Sequence, residues 1–485
     1  MDTEVKVKRL RLRWALFNAL AIGIGLFPLL VFRTTTQDWL QLVLMMGPLI
    51  CLIFLAFFDK AEGILVAVLV LSLPLGARLR LSPDYIHLGG AEAAIAPLDL
   101  ALIALGAHWI RRFILGPERI TWRIPIFDLR FWIFVGVSSF SLITSREISL
   151  SLLEIIRMLK MYILILLIRH YVKSKRELLN VLLLLLLGLG IQSSLAIAQD
   201  ILKRTFSLGF LGERDRLWLV EVGGQTLSRA GGTLGHANVM ASYLELLLPL
   251  TLALSLLQIR TRYRVALLTL FGLGTAAMIL TLSRSGWGGL AFGSLLTLWL
   301  VARRKGFRLR RLLPALLPLG ITVVLIAILF WHPIMARLFA PSPYSVSFRL
   351  KLARGALEMM KAQPLIGVGL NTFKEVMTDF PSQYLFTTRP ATVHNIYLLV
   401  AAETGVLGLL FFLWLLIGIF GIGFHYSRSS QELYAATSAG ICGGLAALLV
   451  HDMLSWLFRF DPVFVLFWFL VGLLTAVARL EIKAR

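Results

Sequence analysis

Apolar runs of about 18–20 residues recur from one end of this chain to the other, each long enough to cross a roughly 30 Å hydrocarbon core as a helix. No other feature restricts the fold so strongly. A lipid-exposed segment must satisfy its own backbone polar groups, and a helix does that within one run. The composition agrees: of 485 residues, 58% are hydrophobic and only 15% charged, which excludes a water-soluble multidomain protein. Candidate spans fall near 14–32, 39–57, 62–76, 97–115, 128–144, 148–169, 178–198, 237–258, 265–282, 286–302, 312–331, 395–424, 434–451 and 462–478. The expectation is an all-α integral membrane protein of about 12–14 transmembrane helices, one polytopic domain over 1–485. The first run, Trp14 to Phe32, follows a basic start, is too long for a signal-peptide core and lacks a small-x-small cleavage site. It reads as a retained span.

A net charge of +22 would suggest nucleic acid in a soluble protein, but here lysine and arginine set topology and no nucleic-acid partner is expected. With the N-terminus inside, the clusters Arg111-Arg112, Arg169–Arg176, Arg260–Arg264 and Arg303–Arg311 all become cytoplasmic. An even number of spans returns Arg479, Lys483 and Arg485 to the same side. The chain is then a multi-pass protein whose two long polar interruptions, 199–236 and 332–393, face outward. Both carry cations against the positive-inside trend, among them Arg204, Arg214, Arg229, Arg337, Arg349 and Arg389. Cations placed against the trend call for an anionic ligand or for acidic partners. Cys51 and Cys442 sit in apolar runs, where they read as packing residues rather than a disulfide or metal site.

The first interruption ends Ser228-Arg229-Ala-Gly-Gly-Thr233-Leu-Gly-His236-Ala-Asn238, a glycine-rich turn into a helix. Thr233, His236 and Asn238 add polar groups at a helix N-terminus, a place that favours anions. A capped helix entrance explains the glycines and Asn238 but not Arg229, whose charge opposes the dipole. Arg284, in Ser283-Arg284-Ser285-Gly286, lies between two apolar runs where an unpaired charge is costly; a shaped pocket is preferred over snorkelling. Residues 347–363 read as a helix capped by Ser347, with Lys351, Arg354, Glu358 and Lys361 on a solvated stripe and Arg349 on the opposite, inward face. Pro364-Leu-Ile-Gly367-Val-Gly369 stops that helix. His394-Asn395 then opens a long span, and an imidazole at the same mouth can take a proton near neutral pH.

Other polar residues read as structural. Glu154, Arg157 and Lys160 share a helical spacing suited to a buried ion-paired cluster. Glu213-Arg-Asp215 resembles a metal-binding acid pair, but Arg214 and Arg216 neutralise it, so no metal and no cofactor is expected. His451-Asp452 and Arg459-Phe-Asp461 read as a polar outer turn, and His87, His332 and His425 as interface residues.

Taken in order, Arg229-Ala-Gly-Gly-Thr-Leu-Gly-His-Ala-Asn238, Leu282-Ser-Arg284-Ser-Gly286, Phe348-Arg349, Pro364–Gly369 and His394-Asn395 followed by Glu403-Thr-Gly405 resemble the O-antigen ligase and O-antigen polymerase superfamily over 150–425. One departure is Ala237, where relatives often carry proline. The resemblance implies a fold like the C-type membrane glycosyltransferases, in the bacterial inner membrane, with the active site on the extracytoplasmic side. It implies a donor glycan on undecaprenyl pyrophosphate and an acceptor hydroxyl on a glycan, a lipid core or a protein, with membrane lipids as surroundings. Carried onto this chain, Arg229, Arg284, Arg349, His236, Asn238 and Asn395 would bind substrate and His394 would be the base, without a metal and with inversion. A membrane transporter of a small anion or glycan is the alternative, though no inverted repeat is evident. A non-catalytic scaffold comes third.

Overall fold

The computed structural model describes residues 61–80, 94–115, 126–222, 225–304, 331–339, 343–380 and 391–484, together with 56, 58, 320 and 328. The expected span 14–32, nearly all of 39–57 and of 312–331, and Cys51, His87 and Arg389 lie outside the described residues. The helices are α1 Glu62–Ser72, α2 Pro97–Leu115, α3 Ile126–Ser139, α4 Ile148–Tyr171, α5 Lys175–Leu202, α6 Ala237–Ser255, α7 Thr261–Leu280 and α8 Arg284–Ala302. They continue with α9 Trp331–Phe339, α10 Pro343–Ala362, α11 Phe373–Val376, α12 Ile396–Tyr426, α13 Glu432–His451 and α14 Asp461–Ala484. Two short antiparallel pairs accompany them: β1 Leu79–Arg80 with β2 Ala94–Ile95, and β3 Trp218–Val222 with β4 Gln225–Arg229.

Eleven expected spans coincide with helices, and the protein is an all-α integral membrane protein. Among the described residues seven helices are long and apolar enough to cross a bilayer: α5, α6, α7, α8, α12, α13 and α14. Glu154, Arg157 and Lys160 explain why α4, of 24 residues, is not among them: the helix carries charge that only a protein interior can neutralise.

The chain divides into two units. The first comprises residues 1–68, 78–84 and 93–122. Within it Arg112 pairs with Glu62 at 2.8 Å and the His108 ring bonds the Ala56 carbonyl at 2.9 Å. The second, 69–77, 85–92 and 123–485, holds every candidate site residue. Its centre is α6, α13 and α14, buried along almost their whole lengths. Small residues make this possible. A Cβ on Gly293 would strike the Gly443 carbonyl, and one on Gly444 the Leu246 carbonyl, so α8 and α6 close on α13 at backbone distance.

The long helix α12 breaks at Gly405, whose φ of 70° is left-handed. The break is repaired by the proline-glycine segment. Val368 and Gly369 N–H donate to the freed Ala402 and Glu403 carbonyls at 3.0 and 3.1 Å. In return Val406 N–H donates to Pro364 O at 2.8 Å. The approach is so close that a Cβ on Gly367 or Gly405 would collide with the facing backbone. This joint ties the end of α10 to α12, and therefore fixes where Arg349 lies relative to His394.

Two sequence expectations about α10 change. The helix starts at Pro343, so Ser347 lies inside it and is no cap. It buries Leu352, Ala356 and Met359, while Leu350 and Leu357 are exposed. That rotation takes Arg349 out of the apolar interface and leaves it exposed.

Candidate functional site

The site grows around the tight turn between α7 and α8. Thr281 and Leu282 end α7, Leu282 adopts a positive φ of 52°, and Arg284 begins α8 within two residues. Two arginines from distant segments hold that turn by neighbouring carbonyls. Arg229 Nε donates to Thr281 O at 2.7 Å, and Arg337 Nε donates to Leu282 O at 3.1 Å. Arg284 itself is exposed beside them, and Arg349 lies within electrostatic reach of it. The structure thus brings Arg229, Arg284 and Arg349 to one place and adds Arg337, which sequence reasoning counted only among the outward cations.

Each segment is built to present its arginine. β4 delivers Arg229 at its last residue, and the glycine run that follows is laced to α5. Gln199 Oε1 accepts from Gly232 N–H at 2.9 Å, and Gln192 Oε1 accepts from Thr233 N–H at 3.2 Å. Thr233 is spent on that scaffold, its hydroxyl donating to Pro74 O at 2.8 Å. Asn238 Oδ1 accepts from Arg229 Nη2, and His236 caps α6 by accepting Asn238 N–H at its Nδ1, 3.1 Å away. Asn238 and His236 therefore touch Arg229 and the helix start. Ala237 is the first residue of α6, the position where proline is also at home, so the departure at this residue leaves the helix entrance unchanged.

Burial and like charge act together here. Burial, then Arg337, pull Arg229 down to about 10. Burial, then Arg284 and Arg349, lower Arg337, and burial, then Arg284, lower Arg349. Guanidinium groups this basic stay protonated at neutral pH. Among the described residues none of the four has a carboxylate partner; their neighbours are carbonyls, an amide and one another.

His394 stands beside this cluster, its ring between Phe348 at 6.2 Å and Trp456 at 6.5 Å, centroid to centroid. Phe348 is the neighbour of Arg349 on α10, so the same turn supplies one wall for the imidazole and one cation. Burial, then Arg349, hold His394 down at about 4, so the ring is neutral at pH 7. Its Nδ1 lies 3.0 Å from Thr392 O. A carbonyl can only accept, which assigns the proton to Nδ1 and the lone pair to Nε2. Asn395 caps α12, accepting from Leu398 N–H at 2.9 Å and donating to Met453 O at 2.9 Å. Both ends of its amide are thus committed to backbone.

Several residues expected to be solvated are buried instead. Arg459 pairs with Glu403 at 2.8 Å and with Glu154 at 3.1 Å, and Arg157 pairs with Glu154 at 2.6 Å and Asp461 at 2.9 Å. Glu154 and Arg157 form the buried ion pair expected on α4, and the network extends to the segment taken for a polar outer turn. His451 and Asp452 are buried as well. Glu213 is neutralised differently from expectation: its carboxylate accepts from Gln199 Nε2 and from the N–H groups of Phe206 and Leu208, while Arg214 lies over Trp218.

A multi-pass α-helical protein with a cationic, base-bearing mouth is the class these observations define. Residues 265–413 match the family described as O-antigen ligase. That match covers under a third of the chain, and it supports the superfamily resemblance drawn from the motifs and a membrane glycan-transfer role in polysaccharide assembly. The matched stretch contains Arg284, Arg337, Arg349, His394 and Asn395, while Arg229, His236 and Asn238 precede it. No curated protein matches the chain.

Proposed function

We propose that this protein transfers a glycan from undecaprenyl pyrophosphate to an acceptor hydroxyl at the extracytoplasmic face of the bacterial inner membrane. One observation carries the reading: four guanidinium groups gathered around the 281–284 turn, with no carboxylate partner among the described residues, beside a neutral imidazole. Such a cluster repels itself until an anion arrives, and a diphosphate supplies the charge and the paired oxygens that a planar guanidinium grips two at a time.

In the step, the acceptor oxygen attacks the anomeric carbon as its proton passes to His394 Nε2. The bond from that carbon to the pyrophosphate oxygen breaks, and the electron pair leaves with the diphosphate. Arginines held in place beforehand stabilise the growing negative charge without reorganising. Attack opposite the leaving group inverts the anomeric centre. Asn238 and His236 act through Arg229, and Asn395 through His394. Since guanidinium charge does this work, the reaction needs no divalent metal. The acceptor is a glycan or a lipid core.

A transporter reading gains nothing from the broken helix α12. The groups freed at Gly405 are taken up by residues 364–369, where a transported ion would have to bind. The test uses purified full-length protein in EDTA with lipid-linked glycan accumulated by cells lacking it. Transfer should proceed, with undecaprenyl pyrophosphate as product; a strict need for added divalent metal, or transport without transfer, contradicts the proposal. Its sidedness is tested at Ser207, exposed in the first interruption. A cysteine there should react with an impermeant reagent from outside intact spheroplasts, and protection would reverse the topology.

A further inference from the structure

Glu245 and His451 lie in α6 and at the end of α13, fully or almost fully buried, and the transfer step above uses neither. His451 Nδ1 is 3.0 and 3.2 Å from the two carboxylate oxygens of Glu245, while His451 Nε2 is buried with no hydrogen-bond partner among the described residues. Both groups press on the start of α8. A Cβ on Gly286 would sit 3.4 Å from His451 Cε1, and one on Gly289 only 2.8 Å from Glu245 Oε2. Two glycines thus let the pair touch the first two turns of the helix that begins with Arg284.

The end of α13 and the residues just after it, which carry His451, also hold the start of α12. Ile396 N–H donates to Asp452 O at 3.0 Å, Asn395 Nδ2 to Met453 O at 2.9 Å, and the Tyr397 hydroxyl to Leu449 O at 3.1 Å. Residues 449–453 therefore join the helix that begins at Arg284 to the helix that follows His394. An ionisable pair inside membrane-spanning helices is costly, and apolar residues of similar volume would pack there at no loss of stability. Its retention calls for a task beyond packing.

We propose that Glu245 and His451 are positioning residues for the transfer step, fixing the turn that sets Arg284 against His394. This rests on the function proposed above. A base misplaced by about 1 Å can cost on the order of 100-fold in rate, whereas donor binding by the arginines tolerates the same shift.

The test compares His451→Ala, His451→Gln and the double variant Glu245→Leu/His451→Leu, with His394→Ala alongside. Each is assayed as full-length protein for turnover of the accumulated lipid-linked glycan and for binding of undecaprenyl pyrophosphate. His451→Ala should lose roughly 10- to 100-fold in kcat with binding within about twofold. His451→Gln, whose amide can still donate to Glu245, should recover most of the rate. The double variant should be folded, because both charges are removed together, yet remain slow. A double variant at the wild-type rate, or a slow and well-folded His451→Gln, overturns the assignment. If instead His394→Ala keeps its rate, the proposed transfer mechanism fails, and that outcome is separate from either result at His451.

Discussion

Two groups of arginines at one end of this bundle are treated in opposite ways. Arg157 and Arg459 are buried among Glu154, Glu403 and Asp461, with every ion pair at 3.1 Å or less. Arg229, Arg284, Arg337 and Arg349 gather around one turn, where among the described residues their hydrogen-bond acceptors are the Thr281 and Leu282 carbonyls and the Asn238 amide. The fold neutralises the first group from within. Among the described residues the second group has no carboxylate partner, and in the proposed function an arriving anion supplies that charge.

The sharpest way to break the comparison is to remove one arginine from each group. Arg459→Met strips Glu403 of its buried cation and should destabilise the protein by about 3–5 kcal/mol. Arg337→Met removes a like charge from the mouth and should leave the thermal unfolding of the ligand-free protein unchanged or slightly raised. Thermal unfolding in one detergent decides it, and an equal fall in both variants would erase the distinction.

Next in size is the base. His394→Ala should cut transfer by roughly 100-fold, about 2.7 kcal/mol of transition-state stabilisation, while undecaprenyl pyrophosphate still binds normally. A variant that keeps its rate would remove His394 from the chemistry. Arg284→Lys and Arg349→Lys should each cost about 10-fold, because a lysine retains charge without the planar fork. Full activity in both would leave these arginines a structural role only.

The smallest effect is on pH. As the proposed base, His394 acts through the unprotonated ring, so activity should be present above its pKa and be lost as pH falls through it. The acid limb of kcat/KM reports the free protein and should lie near the His394 value of about 4. Burial and the Arg349 charge both depress that value, so Arg349→Gln should move the limb to higher pH. A limb that stays put or moves down would place Arg349 away from the base.

Much of this contrast was legible in the sequence, and the part that was not has a physical reason. The spans were readable because apolar length is a local property. Arg229 and Arg284 stood out because each broke a local rule for placing charge, and His394 because it opens a long span at the same mouth. Arg337 broke the same rule but sat in no recognisable motif, and only the carbonyl of Leu282 shows what it does. The inward direction expected for Arg349 failed because a helix wheel gives relative angles. The absolute rotation came from packing α10 on α12, which no local pattern encodes. Arg459 and Asp461 looked solvated for a similar reason, since their partners Glu154, Arg157 and Glu403 lie far away in sequence.

The central claim is that Arg229, Arg284, Arg337 and Arg349 form a diphosphate site. Binding of undecaprenyl pyrophosphate to the purified protein in EDTA, titrated across a salt series, measures it directly. Wild-type protein should bind without divalent metal, weaken as salt rises, and gain about 2.7 kcal/mol of stability at 100 times Kd. The Arg284→Gln/Arg349→Gln double variant should lose that binding. Binding that requires divalent metal, or that survives intact in the double variant, would contradict the account.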